Sequence, residues 1–450
     1  MNQQDIFASA QILTLNPILQ ESENVKVQYF LYLRKLIHSI HWNKRKYIRA
    51  QLTFYRDKLC GSQTSVRICP GVPFPVQLAY LLPFDFAAIT GIHPKVMCTE
   101  KLPAIIRQIA SDFQLPKDAV SFLNTACRAV QGDEGAWDQV LKSKYSLHYR
   151  VYLSHVRSNI LFMRERPYKI LFTATMSAGK STLINALVGK NISLAQNMAC
   201  TSKIHTIISK PFEDGVTSEY DHDLLMAATK EDLLTDNDEN QSSKITVGTC
   251  LNGFLSGQRV IFYDSPGVNS SENTDHAKIT YQMIRSKRYK LMIYVLNATQ
   301  LATTDEELHL KAVAERIGRT NILFVMNRVD HLISEDDDIA SALAKQREFL
   351  TAKGFRNPVI CPVSARAAYL AKKSQQEELS RIERRELENN IDKFQEQSLS
   401  SYYEKSLGCA PIPDSGDEAQ QLLKNCGLSY LELIIKYIKD GGKINGTGVC

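Results

Sequence analysis

Residues 169–189 read KILFTATMSAGKSTLINALVG. The apolar run Ile170, Leu171 and Phe172 predicts a buried strand, and Leu183, Ile184, Leu187 and Val188 recur at the spacing of one helix face. Between them lies Ala174-Thr175-Met176-Ser177-Ala178-Gly179-Lys180-Ser181, the phosphate-loop pattern G-x-x-x-x-G-K-(S/T) with Ala174 in place of the first glycine. A turn of this kind, opening onto a helix N-terminus, offers the main-chain N–H groups from Ser177 to Thr182 to a polyphosphate. Gly179 lets the backbone come close, Lys180 sets its charge on the β- and γ-phosphates, and the Ser181 hydroxyl is a ligand for Mg2+.

Four further motifs follow in the order a GTPase needs. Asp264-Ser265-Pro266-Gly267 closes an apolar strand over 260–263. Asp264 there holds Mg2+ through water, and the Gly267 N–H reaches the γ-phosphate and reports its loss. Asn327-Arg328-Val329-Asp330 closes the strand 322–326 and resembles the guanine-recognition motif (N/T)-K-x-D. Asp330 accepts from the two guanine donors that adenine lacks, and a buried acceptor left unpaired is costly. Arg328 replaces the usual lysine and covers the base with its stem. Ser364-Ala365-Arg366, after the strand 359–363, resembles the last base-binding loop, with the backbone around Ala365 meeting the guanine carbonyl. Thr201 is the switch threonine that completes the Mg2+ shell, so the metal set is Ser181, Thr201 and Asp264; Thr206 is a rival inside a strand.

Outward from these motifs, residues 168–370 alternate strand and helix signals, as in a mostly parallel, doubly wound α/β sheet. Seven strands are expected, at 170–173, 204–209, 244–251, 260–264, 291–296, 322–326 and 359–363, with the polar stretch 230–243 as a surface loop. Upstream, residues 1–145 are mainly helical and 146–166 form a helix leading into the sheet. An apolar stripe from Leu33 to Leu59 predicts one long helix. It carries Arg34, Lys35, Lys44, Arg45, Lys46, Arg49, Arg56 and Lys58, a charge pattern compatible with a solvated face, an anionic lipid surface or nucleic acid. Residues 74–92, broken by Pro75 and Pro83, read as a buried or interfacial irregular segment. The acidic run 335–338 opens a helix and complements its dipole, so it is not read as a metal site. Downstream, 371–440 is helical and 441–450 a glycine-rich flexible tail.

The 450 residues carry 54 basic and 48 acidic side chains, net +6, too little to argue for nucleic acid across the whole chain. The ten cysteines include no C-x-x-C pair, which points away from zinc and toward free thiols in a reducing cytosol. No basic-then-apolar leader opens the sequence and no apolar run is long enough to span a bilayer, so a cytoplasmic protein, free or peripheral to a membrane, is expected.

Ser177 two residues before Gly179, the helix STLINALVG, the switch threonine far downstream and Asn297–Glu306 (NATQLATTDE) after a buried strand together resemble the dynamin superfamily, most closely bacterial dynamin-like GTPases. The resemblance covers about residues 145–370 and makes 167–370 a dynamin-like G domain, with 371–440 packing as a neck-like bundle. It implies Mg2+-dependent GTP hydrolysis by Ser177, Lys180 and Thr201. It also implies G-domain homodimerisation across the nucleotide, and a monovalent cation, K+ or Na+, held with the help of Ser177. Met176 stands where eukaryotic dynamins carry a water-orienting glutamine, which implies slow turnover or a backbone-based arrangement of the attacking water. A peripheral membrane or a second dynamin-like protein is the partner implied beyond GTP and GDP. The C-terminal stretch is too short for the family's long stalk, which weighs against membrane remodelling by this chain alone. Two alternatives stand beside this reading: a GTP-binding scaffold with little hydrolysis, and an Era- or septin-like regulatory GTPase.

Overall fold

The computed structural model describes residues 6–39, 46–61, 75–90, 102–192, 204–220, 224–225, 228, 244–268, 274–300, 302–317, 321–334 and 339–443. Two compact units emerge. Met1–Arg166 with Lys210–Ser218 make one, and Pro167–Ser209 with Glu219–Cys450 the other.

The first unit is helical. In place of one long helix over the apolar stripe there are two, Glu23–Ser39 and Lys46–Cys60, with residues 40–45 outside the described set. Leu33, Leu36 and Ile37 from one, and Ile48, Leu52, Tyr55 and Leu59 from the other, are buried, while Arg34, Lys35, Arg49, Arg56 and Lys58 face solvent. The segment expected to be irregular is regular: a 3-10 turn Val76–Tyr80 runs into the α-helix Leu82–Thr90, all of whose residues are buried. Pro83 is tolerated because it sits in the first turn, where its missing N–H would have had no partner.

That buried helix carries Asp85, with 0% exposure. The amide of Asn16 donates to both carboxylate oxygens at 2.8 and 2.7 Å. Tyr152 donates at 2.9 Å, Tyr55 at 3.2 Å, and Tyr29 also donates. One carboxylate thereby joins segments spread from residue 16 to residue 152. Burial pushes its pKa up against the opposing pull of the Tyr29 and Tyr152 hydroxyls. The turn Lys210–Ser218 belongs to the same unit. The side-chain amide of Gln11 donates to Phe212 O at 2.6 Å, and the Phe212 ring lies 4.7 Å from that of His155.

The second unit is built on nine strands among the described residues: β1 (Tyr168–Ala174), β2 (Ile204–Lys210), β3 (Ser218–Tyr220), β4 (Leu224–Leu225), β5 (Lys244–Cys250), β6 (Val260–Asp264), β7 (Leu291–Asn297), β8 (Asn321–Asn327) and β9 (Ile360–Val363). Their order is β4-β3-β5-β2-β6-β1-β7-β8-β9. β6, β1, β7, β8 and β9 are parallel, and β2 runs antiparallel to β6. All seven expected strands are present; β3 and β4 are additional. β3 pairs antiparallel with β4, Glu219 opposite Leu225 and Tyr220 opposite Leu224. β7 is buried along its whole length, as a strand covered on both faces must be. The phosphate-loop helix Lys180–Val188 and the helices Thr304–Ile317, Ile339–Ala352 and Ala365–Ser374 flank this sheet.

The C-terminal helices Arg381–Glu396, Ser400–Ser406, Glu418–Asn425 and Leu428–Lys439 share the sheet's own core. The reason is the exposed edge of β9. An edge strand leaves main-chain groups unpaired. Here Tyr402 donates to Ile360 O at 3.0 Å, Tyr403 donates to Pro362 O at 2.7 Å, and Ser364 N donates to Cys426 O at 3.1 Å. Tyr403 stacks on Tyr430 with ring centroids 4.9 Å apart. Gly427 is required at this seam. Its φ is +87°, and a Cβ there would lie 2.4 Å from Pro362 O. Of the expected tail, 444–450 lie outside the described residues.

Candidate nucleotide-binding site

The C-terminal ends of β1, β6 and β8, with the loop after β9, bring the motifs to one edge of the sheet. Ser177 has φ +61° and Gly179 φ +81°, so the phosphate loop makes two left-handed excursions before its helix starts at Lys180. Ala174 is fully buried on β1, and its carbonyl accepts from Val268 N at 3.2 Å. Lys180 is ion-paired with Asp264, and the two side chains are 11% and 8% exposed. The ammonium that would meet phosphate therefore rests on the carboxylate that would meet magnesium. Ser181 and Thr182 occupy the first turn of the helix.

Asn327 is the brace of the site. Its side-chain N–H group donates to Ala178 O at 3.1 Å and to Gly179 O at 3.3 Å, while its Oδ1 accepts from Ala365 N at 3.0 Å. One amide thus ties the phosphate loop to the base loop. The sequence reading placed the Ala365 backbone on the guanine carbonyl; the structure gives the Ala365 N–H to Asn327. Ser364 caps the helix Ala365–Ser374, its Oγ accepting from Ala367 N. Arg328 takes φ +68°, an uncommon conformation for a side chain of its size. Asp330 opens the short helix Val329–Ser334 and meets His331 at 3.6 Å. Arg366 is held in a fork by Glu386 at 2.9 and 2.6 Å.

Ser265, within the motif but given no role by the sequence, docks the turn after β6 on β1. Both its N–H and its hydroxyl donate to Phe172 O, at 3.3 and 2.9 Å. Met176 is 43% exposed, and a Cβ on Gly267 would touch its Cγ at 3.3 Å, so the first part of the Met176 side chain lies beside the glycine whose N–H would sense a γ-phosphate. Thr201 and 335–338 lie outside the described residues. The rival Thr206 is fully buried in β2 opposite Tyr263, and its hydroxyl has no partner.

The donor set suits Mg2+. A carboxylate beside the phosphate-loop lysine and a hydroxyl at the helix start are oxygen donors, and Mg2+ commonly takes one or two protein ligands with phosphate and water as the rest. Among the described residues no cluster of three or more His, Cys, Asp or Glu is placed to hold a metal.

Behind the site, Glu306 is buried and accepts from Ala302 N at 3.0 Å, which fixes Ala302 at φ +58°. Burial raises its pKa to about 7. The folded value lies above the unfolded one, so the proton is held more tightly when folded. Stability is then greatest below the unfolded carboxylate range and falls as pH rises toward about 7. Glu306→Gln is expected to flatten that slope and raise stability at pH 8 by about 1–3 kcal/mol, with little change at pH 4. Melting temperatures of both proteins across pH 4–8 check this; parallel curves would remove the effect.

Residues 170–329 match the dynamin family. That stretch, about a third of the chain, is similar to a dynamin-family G domain. The G domain's fold is that of P-loop GTPases. Solved structures similar to the chain include Era of Aquifex aeolicus bound to GDP·AlF4−, at 16% identity and TM-score 0.28, covering 45% of this chain and 52% of that one. The G domain of the FeoB iron transporter of T. maritima is similar at 14% identity and TM-score 0.23, covering 44% and 89%. A bacterial dynamin from an oligomerised pair described as sensing and tethering membranes matches at 15% identity and TM-score 0.38, covering 96% of this chain and 61% of that one. The chain thus spans about half of the Era chain and under two thirds of the bacterial dynamin. No curated protein sequence matches it.

Proposed function

We propose that the chain is a Mg2+-dependent GTPase whose G domain dimerises across the nucleotide. The observation that carries this reading is the Asn327 brace between phosphate loop and base loop, set beside the Lys180–Asp264 pair. In the proposed cycle GTP enters with its phosphates on the N–H groups of Ser177–Thr182. Lys180 leaves Asp264 for the β- and γ-phosphates. Asp264, Ser181 and Thr201 would hold Mg2+, which when bound would supply charge neutralisation at the phosphates. Gly267 N–H meets the γ-phosphate, Asp330 accepts from the guanine edge, and Arg328 covers the base. Positioning and charge stabilisation carry hydrolysis, since phosphoryl transfer asks little covalent chemistry of the protein. Ser177 is the residue to help hold K+ or Na+.

Isothermal titration with GTP and ATP tests base choice. Wild type is expected to bind GTP at least 100-fold more tightly than ATP, and Asp330→Asn to prefer xanthosine triphosphate, whose added oxygen turns an accepted donor into an acceptor. Equal heats with GTP and ATP would overturn the reading. Met176 beside Gly267 favours a second reading, a GTP-binding scaffold with little turnover. Single-turnover rates that rise with protein concentration support dimer-driven hydrolysis, and flat, near-zero rates support the scaffold.

The output is proposed to be a conformational change in the helical unit, at a membrane surface. Exposed Arg34, Lys35, Arg49, Arg56 and Lys58 support an electrostatic contact only, because the stripe residues Leu33, Leu36, Ile37, Ile48, Leu52, Tyr55 and Leu59 are buried. Among the described residues no helix is long and apolar enough to cross a membrane. Flotation with phosphatidylserine vesicles, with Lys44, Arg45, Lys46 and Arg49 neutralised in a second protein, tests this; unchanged flotation would remove it.

A further inference from the structure

A polar chain, buried at Thr173 and His309 and half-buried at Tyr281, links β1 to the helices Thr304–Ile317 and Thr274–Ser286. Thr173, the β1 residue immediately before Ala174, has its Oγ1 3.0 Å from Nε2 of His309, and both residues are buried. On the far side of the same imidazole, Nδ1 stands 3.4 Å from the Tyr281 hydroxyl. Tyr281 belongs to the helix Thr274–Ser286, which follows Asp264–Gly267 in the chain. Its neighbour Thr280 is buried and donates to Pro266 O at 3.0 Å. The His309 ring also packs on Tyr281 and Tyr294, at 5.7 and 5.3 Å.

We propose that His309 is a positioning residue that couples the strand entering the phosphate loop to the helix following Asp264–Gly267. The inference rests on the GTPase reading and names residues outside the nucleotide motifs. A neutral imidazole has one N–H and one lone pair. Its two partners are hydroxyls, each able to donate or accept. The chain Thr173–His309–Tyr281 can therefore be polarised in either direction, and the tautomer at one end dictates the role of the hydroxyl at the other. Burial keeps the ring neutral, lowering its pKa to about 3, so both polarisations stay available at ordinary pH. Any shift of Pro266 and Gly267 on meeting a γ-phosphate pulls on Thr280, alters the Tyr281 end, and reaches Thr173 beside the loop that grips the same phosphate. An apolar trio would pack this space with less risk, since each buried hydroxyl left unpaired is costly. Tyr294 marks the contrast, because its buried hydroxyl has no partner.

Thr173→Val and Tyr281→Phe remove one hydroxyl each and keep the shape, and Thr173→Ser restores the hydroxyl. Hydrolysis at saturating GTP is expected to fall about three- to tenfold in each of the first two, with KM within about twofold, and to recover in the serine variant. The double variant should be no slower than the slower single one, because either change cuts the same chain. Lowered melting temperature with wild-type kcat and KM would overturn the coupling, leaving His309 as packing. Additive losses in the double variant would overturn it too. A wild type that neither binds nor hydrolyses GTP instead sinks the GTPase reading, with the coupling going down alongside it; an active wild type with equally active variants sinks the coupling alone.

Discussion

Gly179→Ala is expected to lower GTP affinity by about 100-fold or more, roughly 3 kcal/mol, while the protein still folds. Two physical effects combine. Gly179 has φ +81°, where an alanine is strained by about 1–2 kcal/mol. A Cβ there would also lie 2.3 Å from the Asn327 side-chain nitrogen. That nitrogen ends a side chain and in isolation would swing aside. Here Asn327 is buried and already committed to Ala178 O, Gly179 O and Ala365 N. Moving it releases the phosphate loop and the base loop together, so GTP and GDP should weaken in parallel. Titration calorimetry with both nucleotides, beside a circular-dichroism melt, reads this directly. Near wild-type affinity for GTP would mean that Asn327 is no brace.

Asp85→Ala is expected to destabilise the helical unit by about 3–5 kcal/mol. The carboxylate is the common acceptor for Asn16, Tyr29, Tyr55 and Tyr152, all buried. Removing it leaves three hydroxyls and an amide without their acceptor, each costing about 1–3 kcal/mol, against which stands relief from desolvating a charge. Tyr55→Phe, which removes the longest of the bonds to Asp85 at 3.2 Å, should cost only about 1 kcal/mol. Urea unfolding followed by fluorescence of Trp137, fully buried in this unit against Phe84, measures both. A loss below about 1 kcal/mol for Asp85→Ala would show that the cluster is locally replaceable.

The strands that carry the nucleotide motifs were legible because each is a short apolar run ending in a chemically distinctive residue: Ala174 before the phosphate loop, Asp264, Asn327 and Ser364. The N-terminal region was legible only as helical. Its apolar stripe from Leu33 to Leu59 runs through the end of one helix and the start of the next, and periodicity does not register where one helix gives way to another. The helix Leu82–Thr90 was misread because Pro75 and Pro83 signal irregularity, yet Pro75 lies before the 3-10 turn and Pro83 is harmless in the first turn of the helix. β3 and β4 were missed because strands of three and two residues are too short to show alternation.

The amino-acid order alone determined the class of this protein: a strand-loop-helix of the phosphate-loop pattern, an Asn327-Arg328-Val329-Asp330 motif at a strand end, and a mostly parallel sheet to hold both. These are local properties, set by residue type and by spacing of a few positions along one chain segment. Only the tertiary structure decided that the C-terminal helices seal β9, that Asn327 joins two loops, that Asp85 gathers donors from across the helical unit, and that His309 lies between Thr173 and Tyr281. Each of these is a meeting of polar groups far apart in sequence. Burial forces such groups to find partners, and which partners they find depends on the packing of whole elements, which leaves no trace in the spacing of any one of them.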